Sequence, residues 1–138
     1  MTNTIALIKK DFFAYRNGIV ADTLRKNGDP HQFIMGCQLV DVIAIASSYP
    51  SSKELAQALW DDCKHRECRM AAPVLYPAGE MDETTAMNWA TEVECHEIAD
   101  VLCHRLLRHL PYAQSIAQSL VESHSEINQY TGWRLFLN

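Results

Sequence analysis

From Glu94 to Leu110 apolar side chains return at every third or fourth position, and this period constrains the fold more than any other feature of the chain. A helical turn of about 100° per residue puts Cys95, Ile98, Ala99, Leu102, Cys103, Leu106 and Leu110 on one arc. The opposite arc carries His96, Glu97, Asp100, His104, Arg105 and Arg108. His96, Asp100 and His104 follow one another by one turn along a single stripe, which is either a solvated face or a site.

The same period runs through most of the chain, and no alternating apolar and polar run bounded by turn signals argues for a strand. The expected fold is all-α, with roughly eight or nine helices by the pattern of breaks. Ile5, Ile8, Phe12 and Tyr15 mark a first helix, broken by Asn17-Gly18 before Ile19, Val20 and Leu24 resume a face. Asn27-Gly28-Asp29-Pro30 ends that unit, and Pro50 stops a helix over Leu39 to Tyr49. Ser51 to Glu54 reads as a capping box that starts the next helix. A helix from about His65 to Tyr76 contains Pro73, which removes a backbone donor and is expected to kink or shorten it. Asp82 is expected to cap the helix of Ala86, Trp89 and Val93, and Pro111 to be the first residue of the helix of Ile116 and Leu120. Tandem helical pairs with short loops suggest an αα-solenoid in which each pair buries its face against its neighbours.

The 138 residues fit one domain, residues 1–138, and a composition that is 48% hydrophobic and 21% charged excludes a disordered chain. Lys and Arg number 12 against 17 Asp and Glu, so a nucleic-acid partner would need a local basic patch. No apolar run resembles a secretory signal or approaches the ~18 residues of a membrane span, so a soluble, cytoplasmic protein without a membrane partner is expected. Five cysteines cannot all pair within the chain, and they read first as small core residues.

The segment Glu54-Leu55-Ala56-Gln57-Ala58-Leu59-Trp60-Asp61, followed by His65-Arg66-Glu67-Cys68-Arg69-Met70-Ala71-Ala72, resembles a stretch of the AlkD-like DNA alkylation repair family. The resemblance continues through residues 96–100 and 106–113, and earlier through 17–20 and 33–36. It implies a HEAT-like αα-superhelix, a right-handed solenoid of antiparallel helix pairs, that holds double-stranded DNA on its concave face. It also implies an N-glycosylase that excises alkylated purines without a cofactor. Matching the family's W-D-x-x-D motif puts Asp100 at the catalytic aspartate, Glu97 at the first acid and His96 at the tryptophan. An alkylated purine is already a good leaving group, so a carboxylate that stabilises positive charge on the sugar could suffice. The family's phosphate-holding arginine falls near Tyr130, and the chain ends where the family continues with further repeats. Arg66, Arg69, Arg105, Arg108 and Arg134 are the candidates for a DNA-binding basic strip.

Other readings stand beside this one. From its helix alone, Asp100 reads first as an exposed acid in contact with His96 and His104 one turn away. Cys63-x-His65-x-x-Cys68 and the pairs Cys95-His96 and Cys103-His104 offer soft metal ligands, yet cysteine and histidine of the pairs fall on opposite arcs. His96-Glu97-x-x-Asp100 has aspartate where the zinc-hydrolase motif has its second histidine, and no metal is expected. Cys37, near a helix start, reads as a buried thiol before a nucleophile. Trp60, Trp89 and Trp133 all read as core. Trp133, Phe136 and Leu137 leave the last helix apolar to its end, which suggests a cover by another chain, such as a homodimer. A non-catalytic helical-repeat module that binds protein is the alternative function.

Overall fold

A computed structural model describes residues 2–138, and its described residues form nine α-helices and two short 3-10 turns. They fall into two compact units that divide between Tyr76 and Pro77. One isolated bridge, between Phe33 and His65, is the extended pairing among the described residues. No helix among them is long and apolar enough to cross a membrane.

The first unit holds α1 (Thr2–Ala14), α2 (Gly18–Lys26), α3 (Leu39–Ser47), α4 (Lys53–Asp61) and α5 (Arg66–Leu75). Asn17 turns the Asn-Gly break into a start signal, because its side chain accepts from the amides of Ile19 and Val20. The cap of α4 is Ser52 rather than the expected Ser51: its Oγ accepts from Leu55 N at 3.1 Å, while Glu54 takes the Ser52 hydroxyl. Helix α5 tolerates Pro73 in its interior and ends two residues later at Leu75. It packs on α3 and α4, where Val42, Ala46, Leu59, Trp60 and Met70 are fully enclosed.

The segment from Met35 to Cys37 has no helix of its own, so its amides need other acceptors. The buried Glu67 carboxylate supplies them, accepting from Met35 N and Gly36 N at 3.1 Å and from Cys37 N at 3.4 Å. Gly36 has φ +83°, and a Cβ there would lie 2.1 Å from the Asn17 carbonyl oxygen.

The second unit contains a 3-10 turn (Ala78–Glu80), α6 (Glu83–Thr91), α7 (His96–Arg105), a second 3-10 turn (Leu107–His109), α8 (Ala113–Val121) and α9 (Glu126–Leu137). Asp82 caps α6 as expected, accepting from Thr85 N at 2.7 Å. Helix α7 is shorter than the Glu94 to Leu110 pattern: Leu106 leaves helical geometry at φ −130°, and Leu110, placed before Pro111, is extended. Pro111 lies outside α8, whose N-cap position is Tyr112, and is not the helix's first residue. Ser125 caps α9. Helices α8 and α9 pack closely at Gly132, where a Cβ would meet Val121, Ala117 and Leu120 within 2.9 Å.

Trp60 and Trp89 are core residues, as expected, but Trp133 is 60% exposed. The helical period places Leu135 inward and leaves Trp133, Phe136 and Leu137 on the outer side of α9.

Candidate nucleic-acid interface

The polar stripe of α7 faces α9. His96, Asp100 and His104 lie four residues apart on α7, and Tyr130, Arg134 and Asn138 repeat that spacing on α9 and its cap. The two rows meet rung by rung. The rings of His96 and Tyr130 stack at 3.8 Å between centroids and 10° between planes. The Tyr130 hydroxyl donates to Asp100 Oδ1 at 2.8 Å, and Arg134 Nε lies 3.0 Å from the same oxygen. His104 Nδ1 is 3.2 Å from Asn138 Oδ1, whose Nδ2 donates to the Arg134 carbonyl at 2.7 Å.

This geometry sets what the cluster can do. Asp100 spends Oδ1 on a phenol and a guanidinium, and its charge is offset by a cation in contact. Burial, followed by the hydrogen bond to Asp100, raises the Tyr130 phenol above its ordinary range, so Tyr130 stays a donor. His96 is exposed and carries its ring on the Tyr130 face, while Glu97 and Asp100 are half-buried. Asp100 is thus held by Tyr130 and Arg134 of α9 rather than by its neighbours along α7.

The five arginines expected in a basic strip divide. Arg66 is only 3% exposed, donates to the Cys37 carbonyl at 3.1 Å and pairs with Glu67 at 2.6 Å. Arg69 is 5% exposed, donates to the Trp60 carbonyl at 2.6 Å and lies 3.9 Å above the Trp60 ring. Both are removed from the expected strip, because their guanidinium groups serve the interior of the first unit. Arg105 and Arg108 are exposed, with no hydrogen bond or ion pair among the described residues, and Arg134 is half-exposed. These three are all the arginines of the second unit, which has no lysine and nine carboxylates. They gather around the last turn of α7 and the end of α9, where the helix dipole of α7 favours positive charge.

Arg108 also lines a cavity of about 180 Å³ with Gln114, Ala113, Ala117, Phe136 and Asn138. This cavity and the Tyr130 contact were not legible from residue types alone. The shared four-residue spacing of the two polar rows is the signal that could have paired them.

Cys37, Cys68 and Cys103 are core thiols as expected, whereas Cys63 is exposed and Cys95 half-buried. Burial, as the leading cause, pushes Cys37, Cys68 and Cys103 up to about 12. Cys37 sits before α3, but its Sγ donates to the Phe12 carbonyl at 3.2 Å, so the buried reading holds over the nucleophile. Cys63 is exposed and Cys68 buried, so the Cys63-x-His65-x-x-Cys68 run does not converge on one point of the surface. His65 turns instead to Asp62, at 2.7 Å from Nδ1, and stacks on Phe33.

No protein-family profile matches the chain, and no curated protein does. A solved structure described as "a new family of proteins related to the HEAT-like repeat DNA glycosylases with affinity for branched DNA structures" is similar to it, with a TM-score of 0.84 over 95% of this chain. Sequence identity is 19%, and the chain spans 55% of that structure's length. The likeness establishes the all-α, HEAT-like helical-repeat fold.

Proposed function

We propose that this chain is a DNA-binding helical-repeat protein that engages phosphates of duplex or branched DNA through Arg105, Arg108 and Arg134. The observation that carries the reading is the concentration of cations: in an acidic unit, every arginine is exposed or half-exposed at the same end of α7 and α9. Affinity for DNA comes chiefly from such cations displacing counterions. Two of the three have no competing partner among the described residues, so they are available without breaking an ion pair. The affinity for branched DNA named for the solved neighbour supports the same reading. A low-salt titration of labelled duplex and branched oligonucleotides tests it. The wild type binds, and replacement of the three arginines by glutamine abolishes binding; equal binding by both proteins would refute the reading.

Excision of alkylated purines is the finer reading, with Asp100 as the electrostatic carboxylate beside His96 and Glu97. It is favoured by the half-exposed position of Asp100 next to the His96 ring. It requires Arg134 to leave Asp100 for a phosphate, since a paired carboxylate stabilises developing positive charge less well. Release of free base from N-alkylated DNA, lost in Asp100→Asn, tests it. Full release by Asp100→Asn would remove Asp100 from any catalytic role.

A further inference from the structure

The cavity beside Phe136 differs in character from the arginine strip that borders it. It is lined by the small residues Ala113 and Ala117 and by the aromatic ring of Phe136. Arg108 stands at it with no partner among the described residues, and the Gln114 amide makes no hydrogen bond among them either. Asn138 also lines it, but both ends of its amide are committed, to His104 and to the Arg134 carbonyl. Trp133, exposed, extends the aromatic surface with its ring 5.7 Å from that of Phe136 at a 48° tilt.

We propose that this cavity receives one unpaired nucleobase with its adjoining phosphate, so that the protein distinguishes DNA with extruded or single-stranded bases from continuous duplex. The inference rests on the DNA-binding reading above and names the feature of DNA recognised. A base has two flat apolar faces, a polar edge and an anionic tether, and the cavity offers a match to each. Phe136 supplies a face for stacking, with Trp133 a second aromatic face beside the cavity, Gln114 supplies a donor and an acceptor for the edge, and Arg108 supplies the cation for the phosphate. A volume of about 180 Å³ holds one ring system and is below the size that takes larger ligands. An apolar peptide would leave the unpartnered guanidinium unused, and the free cation that lines the cavity with Phe136 decides between the two.

Three labelled DNAs test the inference with the full chain: a plain duplex, the same duplex with a single-stranded thymidine flap, and the same flap without bases. Anisotropy reports binding, and tryptophan emission reports the aromatic surface beside the cavity, because Trp60 and Trp89 are buried while Trp133 is exposed next to Phe136. The thymidine flap binds roughly tenfold tighter than the duplex and quenches emission, whereas the abasic flap does neither. Phe136→Ala and Trp133→Ala abolish the preference while keeping duplex affinity, and circular dichroism confirms their helicity. Arg108→Gln, at an exposed and unpaired side chain, lowers flap affinity without a risk to folding. Equal affinity for the thymidine and abasic flaps would overturn the cavity inference alone. Absence of binding to all three DNAs would overturn the DNA-binding reading as well. Self-association that shields Trp133 from quenching would assign this face to a second copy of the chain and overturn the inference too.

Discussion

Asp100 and Arg134 meet between α7 and α9 with 3.0 Å from carboxylate Oδ1 to Nε, and Tyr130 donates to the same oxygen. The ion pair is well exposed, at 44% and 39%, so solvent screens it and its contribution to stability is small. Arg134→Gln is expected to shift the urea midpoint by an amount equivalent to at most about 1 kcal/mol. Tyr130→Phe, which removes a half-buried hydrogen bond but keeps the His96 stack, is expected to cost a comparable ~0.5–1.5 kcal/mol. Losses several times larger would mean that the cluster is a structural keystone rather than a surface available to a ligand.

Gly36 is the most demanding backbone position of the first unit. Its positive φ is strained for any side chain, and a Cβ would press on the Asn17 carbonyl. Gly36→Ala is therefore expected to destabilise by more than about 2 kcal/mol, measured by equilibrium unfolding. An unchanged midpoint would show that the Glu67-anchored segment is looser than its hydrogen bonds require.

Asp62 links stability to pH. Burial disfavours its charge, but hydrogen bonds from Lys9 at 2.6 Å and His65 at 2.7 Å outweigh that cost and hold the carboxyl below its ordinary value. A carboxylate whose folded value is depressed stabilises fully above its unfolded pKa of about 3.9. That stabilisation is lost as pH falls through the folded value. Wild type is expected to exceed Asp62→Asn in stability at pH 6, with the difference closing between about pH 4 and strongly acidic conditions. A difference independent of pH would assign the effect of Asp62→Asn to packing.

Thiol reactivity separates the cysteines. Cys63 is exposed, whereas Cys37, Cys68 and Cys103 are buried and pushed up to about 12. At pH 8 an alkylating reagent is expected to label Cys63 first, and those three only after unfolding, as mapped by mass spectrometry. Rapid labelling of Cys37 in the folded protein would contradict its place beneath the Phe12 carbonyl.

The helical period of residues 94–110 was sufficient to place Ile98, Ala99, Leu102 and Cys103 inward, because burial follows the 3.6-residue repeat directly. Ends were less legible. Ser51 and Ser52 are chemically equivalent caps, and only the chain path chose Ser52. Arg66 and Arg69 resembled surface cations, since residue type records preference for water and not the partners that can replace it. The polar stripe of Asp100 was legible from the helical period, but Tyr130 and Arg134 lie 30 and 34 positions away and become its partners only when α9 packs on α7. Trp133 followed the apolar end of the chain into an expected core, although the turn of α9 gives the inward place to Leu135.

The central claim is that Arg105, Arg108 and Arg134 contact DNA phosphates, and the salt dependence of binding tests it most directly. Three contacts predict a slope of about −2.7 in log affinity against log salt, or roughly a 40-fold loss between 50 and 200 mM. Each single arginine-to-glutamine variant reduces the slope by about one. A branched-DNA titration with that slope and those decrements would establish the interface. Absence of binding at low salt, or a slope that the three substitutions leave unchanged, would contradict it.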